Sequence, residues 1–524
     1  MTRVTLMCGS VLVAGTMFVS ACGAPNPPAA ETQPAAAAEG EGGGAARAEQ
    51  ELLDDLAVAN RILAQELAIL DVQGHITARS KVNPNHYYIA RFVAPGGATT
   101  SHFVENDLDS KPVDGPRNDQ AREIYLHGEI FRARPDVMAV VHSHTPEFVA
   151  FGLSSAPLWS GDSRLPVWDI RPFNMGRPGI VSNPALGKAS AEAMGKSEAV
   201  LLWGHGIALG AGSIAEAVSR VDELRDSAQA QLATIAAGGT WKPQPRAAND
   251  AATTERTWNY YKANVVKKMG GKILRESPPE PEKPADTVAL AKRDIVLANR
   301  ILASDEVAVL DTRGLVSVRN PQNPNSYFVA PRTGAGAVTA ADVIERDMTK
   351  PDGDSGGLLI HDEIYKARPD VNAIVYGRTP AVVAFTGPVK LRHVVNGPAF
   401  VAAGGGLPVF DLGALDASTP LLSNPALAQG VAAALGKKSG VLLSGHGFVL
   451  TGGSIYNVTD RSYQLRMNAT IQQQAMALRG KMTHLDDNPV PPAPEQPAQA
   501  QPAQQLGPPE GRGWVYWAEN VSLE

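Results

Sequence analysis

Apolar and polar positions alternate along the chain with two periodicities, one typical of helices and one typical of strands. From Asp54 to Gln65, leucine, valine and isoleucine recur at helical spacing, which predicts an amphipathic helix with one buried face. Short, mostly apolar runs predict strands, the first two of which are joined by a turn at 72–74. The predicted strands span 67–70, 74–79, 137–144 and 199–203, and two further helices are predicted at 123–133 and 213–237. Strands and helices mixed in this order predict an α/β fold with three α/β/α layers.

The whole pattern occurs twice along the chain. The segment that begins at Ala133, ARPDVMAVVHSHTPEFVAF, recurs from Ala367 as ARPDVNAIVYGRTPAVVAF. Other matching pairs include Gly204-His205-Gly206 with Gly445-His446-Gly447, and the terminal segments at Trp258 and Trp514. A unit of this length is a duplicated domain, because solenoid repeats are only about 20–50 residues long.

Composition places the domain boundaries. Domain 1 is predicted over 49–275 and domain 2 over 288–524, with the acidic, Pro-rich stretch 276–287 as the linker. A Pro/Ala/Gln-rich stretch from about 487 to 511 separates the last element of domain 2 from the rest, so it is predicted to be an insertion.

The first residues predict export. An apolar run from Val4 to Val19 is too short to span a membrane comfortably. Small residues then precede Cys22, which resembles the lipobox of bacterial lipoproteins. The resemblance implies a signal peptide over 1–22 and a lipid on Cys22. The alternatives are an ordinary signal peptide and a chance apolar start. We expect a lipid-anchored protein of the bacterial cell envelope, on the periplasmic or extracytoplasmic side.

A Pro/Ala/Gly-rich stretch over 23–48 has few apolar side chains, which predicts a disordered tether. The net charge is −6 and no basic cluster occurs. Nucleic-acid binding requires a basic surface, so we expect no partner of that class.

Three histidines stand where predicted strands end. His142 and His144 are two residues apart, so on a strand they project from the same face. His205 follows another strand between two glycines, which leave space around its ring. Three converging imidazoles form a metal site with open positions, which is typical of a catalytic centre. The alternative is a set of ordinary polar residues at strand ends.

The second copy lacks part of this set. Glu123 begins a predicted helix and corresponds to Gly357, while Tyr376 and Arg378 replace His142 and His144. Only His446, the counterpart of His205, is retained. Joint loss is expected if the three residues act together, although an acid in the first turn of a helix is also favoured by the helix dipole.

These residues carry a family likeness. Glu123, the stretch LHGEIFRARPDV from Leu126, His142-Ser143-His144 and Gly204-His205-Gly206 resemble the class II aldolase/adducin family. The likeness covers both copies and implies two tandem class II aldolase-like α/β/α sandwiches, the second degenerate. It implies that His142, His144 and His205 bind zinc and that Glu123 transfers protons. Manganese or cobalt would accept the same ligands.

The likeness also implies a zinc-dependent aldehyde-lyase or carboxy-lyase that works through an enediolate on a small hydroxy-carbonyl or hydroxy-carboxylic acid. Gly74-His75 and Ala121-Arg122 replace the Gly-Asn and Ser-Ser pairs usual in sugar-phosphate aldolases. The sequence is more similar to the branch that decarboxylates hydroxylated aromatic or muconate-type acids. His75 and Arg79 are therefore candidate ligands of a substrate carboxylate; otherwise they are a loop histidine and a solvated arginine.

Two other functions fit the likeness. One is a non-catalytic, adducin-like binding or scaffold protein, and the other is an epimerase that uses the same metal site. Enzymes of the family tend to form fourfold tetramers with sites between subunits, which implies a homo-oligomer: a pseudo-tetramer made from a dimer of tandem chains. The second copy would then form a wall of the first copy's site, through the aromatic segment from Trp514 to Trp517.

Overall fold

The computed structural model describes residues 41–117, 119–171, 180–245, 251–279, 282–350, 358–394, 406–412, 424–482, 484, 510–521 and 523. The predicted signal peptide, most of the tether and nearly all of the insertion lie outside these ranges and stay predictions. Within the described residues, no helix has both the length and the apolar character that a membrane span requires.

The first copy is built on a seven-stranded sheet among the described residues. Its strands and a two-stranded ribbon, β5–β6, are β1 His75–Arg79, β2 His86–Ala90, β3 Phe103–Asp107, β4 Ala139–Ser143, β5 Trp159–Ser160, β6 Ser163–Arg164, β7 Val167–Trp168, β8 Ala199–Leu202 and β9 Gly206–Ala211. Its helices are α1 Glu41–Arg61, α2 Ile124–Ala133, α3 Pro146–Leu153, α4 Pro184–Met194, α5 Ile214–Ala236 and α6 Ala251–Lys268. The strand order is β3-β2-β1-β4-β9-β8-β7.

The second copy repeats this architecture. Its strands are β10 Leu315–Asn320, β11 Asn323–Val329, β12 Ile344–Asp347, β13 Ala373–Gly377, β14 Val409–Phe410, β15 Gly440–Leu443 and β16 Gly447–Gly452. Its helices are α7 Thr287–Ala303, α8 Leu358–Ala367, α9 Pro380–Val383, α10 Pro425–Leu435, α11 Ile455–Ala477 and α12 Arg512–Asn520. The strand order β12-β11-β10-β13-β16-β15-β14 matches that of the first copy, which confirms the predicted tandem α/β fold.

Each sheet separates two apolar cores. In β4, Val141 packs with α1, α3 and α5, whereas Val140 packs with α2 and α4 on the other face. Successive side chains of a strand point to opposite faces, so His142 follows Val140 towards the α2 side. The three predicted layers are therefore present. Their arrangement places the side chain of His142 on the same side of the sheet as α2.

Two local predictions are wrong. Residues 67–70 form no strand, because the N–H groups of Ile69 and Leu70 both bond to the carbonyl of Leu63, at 2.7 and 3.0 Å. The apolar run instead closes the end of the preceding helical segment, where Leu67, Ile69 and Leu70 are buried and Ala68 is exposed. Helix α1 begins at Glu41, so the last residues of the predicted tether are helical. Residues 45–48, Ala-Ala-Arg-Ala, favour helix, although three glycines precede them at 42–44.

The two copies meet along an apolar seam. Val72 and Ala94 of the first copy pack in one cluster with Trp514, Tyr516 and Trp517 of α12. A second cluster joins α3 to α11; it contains Val149, Leu153, Trp203, Val394 and Ile471. The terminal aromatic segment thus packs against the first copy, as that part of the prediction requires.

Candidate metal centre

Neighbouring strand ends bring the three histidines together. His142 lies in β4 and His144 just after it, while His205 lies in the turn between β8 and β9. Strands β4 and β9 are paired, with His142 opposite Ala208. A side chain at Gly206 would overlap the carbonyl of Ser143, so glycine is needed where β9 passes this close to β4.

The side chains converge on one point. The Nε2 atom of His142 lies 3.0 Å from Nε2 of His144 and 3.1 Å from Nε2 of His205. One carboxylate oxygen of Glu123 lies 3.1 Å from Nε2 of His142, and the other lies 3.1 Å from Nε2 of His205. All four ligand atoms lie within 4.8 Å of one another. The predicted convergence of these residues is confirmed, while their roles stay predictions.

Hydrogen bonds on the far side of the rings suit these histidines to a cation. The Nδ1 atom of His142 lies 2.9 Å from the Ile207 carbonyl, and Nδ1 of His144 lies 3.1 Å from the Asp71 carboxylate. A neutral imidazole that donates from Nδ1 presents a lone pair at Nε2. Two such lone pairs face each other at 3.0 Å, where they cannot bond to each other but can share a metal ion. The donor set therefore fits a divalent metal such as Zn²⁺.

Asp71 contacts the cluster but is not among the predicted site residues. Besides the His144 ring, its carboxylate accepts the N–H groups of Gln73 and Gly74, at 2.9 and 2.7 Å. Burial alone would raise the pKa of Asp71, but His144 and these amides lower it below its usual range. The spacing Asp-x-x-Gly gave only a turn signal, and Asp311 keeps it in the second copy. Asp71 therefore orients the ring of His144.

We expect Asp71→Asn to weaken metal binding about 10–100-fold, because it removes the charged acceptor that orients His144. Asp311→Asn is the matched control in the second copy, where Arg378 replaces the histidine. Competition with a zinc chelator measures both affinities. Equal affinities in the two variants would show that Asp71 has no such role.

Glu123 caps the centre from the α2 side. It immediately precedes α2, is 7% exposed, and accepts the N–H of Val181 at 3.0 Å. Burial would raise the pKa of Glu123, but His205 and His142 hold it well below its ordinary value. The carboxylate is therefore ionised and placed to accept a proton beside the metal ligands.

His75 borders the cluster but carries no charge. Its ring centroid lies 5.6 Å from that of His142 and 4.7 Å from that of His127. Burial, with the nearby His142, lowers the pKa of His75 to about 3. The ring is therefore neutral near pH 7, and its predicted role as a ligand of a substrate carboxylate stays a prediction. It keeps a buried Nε2 atom without a hydrogen-bond partner in the described structure, so it remains a candidate polar contact for a substrate.

Arg79 lies at the other end of β1 and belongs to the fold. Its guanidinium donates to the carbonyls of Val137, Phe131 and Arg134, at 3.1, 2.5 and 3.1 Å, and to that of Pro84. Arg319 makes the same set of bonds in the second copy. Because at least four of its five N–H groups are committed to the backbone, we correct the expected carboxylate-binding role of Arg79 to a structural one.

Comparison with known families matches residues 54–232 and 293–473 to the class II aldolase and adducin N-terminal domain. A 3,4-dihydroxyphthalate decarboxylase from Arthrobacter keyseri is 30% identical over 206 residues, which are 36% of this chain and 81% of the relative. The decarboxylase tropJ from Talaromyces stipitatus is 30% identical over 191 residues, 32% of this chain and 71% of the relative.

Solved structures match the chain at lower identity. An aldolase II superfamily protein from Pseudomonas syringae is 22% identical with a TM-score of 0.37, and it covers 44% of this chain and 96% of its own. An L-fuculose 1-phosphate aldolase from Glaciozyma antarctica is 22% identical with a TM-score of 0.35, covering 46% and 97%. Each relative corresponds in length to about one copy of the duplicated unit.

Proposed function

This chain belongs to the class II aldolase and adducin family, and we propose that its first copy is a metal-dependent carbon–carbon lyase that decarboxylates a small hydroxylated carboxylic acid. One observation carries the proposal: Glu123, His142, His144 and His205 form a complete cluster, whereas the second copy retains only His446 of that set. A scaffold protein needs the fold of both copies but has no use for this cluster.

The residues of the cluster divide into two roles. The three histidines would hold the cation through Nε2, with His142 and His144 oriented by Ile207 and Asp71. A bound divalent metal supplies a Lewis acid that stabilises the negative charge of an enediolate-type anion. Glu123 is ionised in the free site and lies beside all the ligands, so it takes a proton from the substrate hydroxyl and returns it to carbon.

Decarboxylation fits this arrangement with balanced chemistry. The bond between the carboxylate carbon and the adjacent carbon breaks, and carbon dioxide leaves. The electron pair of the broken bond stays on the hydroxylated fragment. Glu123 delivers the proton taken from the hydroxyl to that carbon, and a proton from solvent then restores the hydroxyl, so that one proton is consumed for each carbon dioxide released. Two relatives named as decarboxylases support this choice over aldol cleavage. So does the replacement of both sequence pairs usual in sugar-phosphate aldolases.

The test is turnover by the purified, zinc-loaded chain. We expect carbon dioxide release from a panel of dihydroxybenzoic and dihydroxyphthalic acids, and no aldehyde release from sugar phosphates. The His142→Ala/His144→Ala variant serves as the blank. Aldehyde release from a sugar phosphate, or no turnover of either class, would overturn the proposal.

A further inference from the structure

Arg512 of the second copy lies near the metal centre of the first copy. Arg512 is the first residue of α12, and its Nη2 lies 3.5 Å from the carbonyl of Gln73. Its guanidinium stacks on Phe92 of the first copy, 4.2 Å from the ring centroid. Gln73 lies in the turn between Asp71, which orients His144, and His75, which borders the cluster. Arg512 is thus held at the edge of the site by the other copy.

The charge of this arginine acts on the site. It is stabilised by the negative charges of Asp71 and Glu123, and it contributes to the low pKa of His75. Burial lowers the pKa of Arg512 to about 10, so the side chain stays protonated near neutral pH. The positive charge of Arg122 also lowers the pKa of Arg512.

Arg512 is partly exposed and has few partners. Among the described residues it forms no ion pair, and its hydrogen bond to Gln73 is at the limit of the accepted distance. Arg79, by comparison, bonds to four carbonyls. A guanidinium whose N–H groups are largely uncommitted can bind a carboxylate through two parallel N–H···O bonds.

We propose that Arg512 of the second copy binds the carboxylate of the substrate that reacts in the first copy. The inference rests on the proposed function and deepens it, because it names the residue that recognises the carboxylate of the substrate. It also explains why the degenerate copy is kept, since that copy positions a binding residue that the first copy does not provide for itself.

The duplication provides an internal control. Arg256-Thr257-Trp258 in α6 corresponds to Arg512-Gly513-Trp514 in α12. Arg256 is exposed and bonds only to Thr253 of its own helix, at 3.4 Å. Arg256 of the first copy therefore faces solvent. Arg512, at the same position of the second copy, lies adjacent to the metal centre of the first copy.

The test compares Arg512→Met with Arg256→Met in the zinc-loaded full chain. Calorimetry measures the binding of 3,4-dihydroxybenzoate and of catechol, which lacks only the carboxylate. We expect Arg512→Met to weaken binding of the acid about 10–100-fold and to leave catechol unaffected, as is typical of losing a charge-assisted bidentate bond. Arg512→Lys should recover part of the affinity, and Arg256→Met should behave as wild type.

Zinc content and thermal stability are measured on each variant, so that loss of the site or of the fold is separated from loss of the contact. Unchanged affinity for the acid in Arg512→Met, with zinc retained, would overturn the inference alone and leave the lyase proposal standing. An equal loss for acid and catechol would also overturn it, since the carboxylate would then not be the group recognised. Failure of the zinc-loaded wild type to bind either ligand would count against the proposed function and the inference together.

Discussion

Glu123→Gln lowers the turnover rate by a factor of about 10²–10⁴ while the chain keeps its metal, because glutamine has the same shape but cannot accept a proton. The amide oxygen can still accept the N–H of Val181, which bonds to the carboxylate at 3.0 Å, so the start of α2 should stay in place. Steady-state kinetics with elemental analysis of the same sample measures both effects. A rate loss with the metal retained assigns Glu123 to proton transfer and not to metal binding.

Glu129→Gln is the matched control in the same helix. Glu129 is retained as Glu363 in the second copy, whose metal ligands are lost, so its conservation between the copies follows the fold and not the chemistry. We expect nearly wild-type turnover from this variant. Equal losses for both variants, or full activity of Glu123→Gln, would remove Glu123 from the mechanism.

Tyr516→Ala destabilises the chain by about 3–5 kcal/mol, the cost of truncating a large buried side chain. Tyr516 is 5% exposed and lies in the seam, where a side chain at Gly96 would overlap its ring. Its hydroxyl lies next to Glu306 of the second copy and Gln65 of the first, and burial raises its pKa. Removing the ring opens a cavity between the copies.

The same substitution at the equivalent position of the first copy should have little effect. Tyr260→Ala removes a ring that is 63% exposed in α6, and exposed truncations usually change stability by only about 0.5 kcal/mol. Denaturant unfolding of both variants gives the comparison. Equal destabilisation would mean that the seam does not account for the burial of Tyr516.

Local periodicity was enough to predict the histidine cluster. His142 and His144 share a face because side chains alternate along a strand, and the glycines on both sides of His205 indicated a tight turn. Glu123 was identified by comparing the two copies, since a lone acid at the start of a helix is otherwise unremarkable. Residues 67–70 were assigned to a strand because an apolar run indicates burial but not which carbonyls its amides reach.

Asp71 and Arg512 could not be found from local patterns. Asp71 acts through a hydrogen bond to His144, which lies 73 positions away, and Arg512 contacts Gln73 across 439 positions. Both contacts depend on how distant segments pack, and the second depends on how the copies are placed against each other. The low pKa of His75 also follows from tertiary burial and so had no signal in the sequence.

The second copy shows that the fold does not need the metal ligands. Leu315 lies opposite Tyr376 in β10 and β13, as His75 lies opposite His142 in β1 and β4. The register is unchanged although both histidines are replaced. Burial and the positive charges of Arg378 and Arg313 lower the pKa of His446, which makes this pocket a poor place for a further cation. Loss of the histidines and retention of the sheet are therefore compatible.

Zinc titration of the metal-stripped full chain tests the central claim most directly. The account predicts one tight site per chain, because only the first copy holds Glu123, His142, His144 and His205 together. The His142→Ala/His144→Ala variant should lose that site and keep its fold. Two sites per chain, no site in the wild type, or tight binding that persists in the double variant would contradict a single metal centre in the first copy.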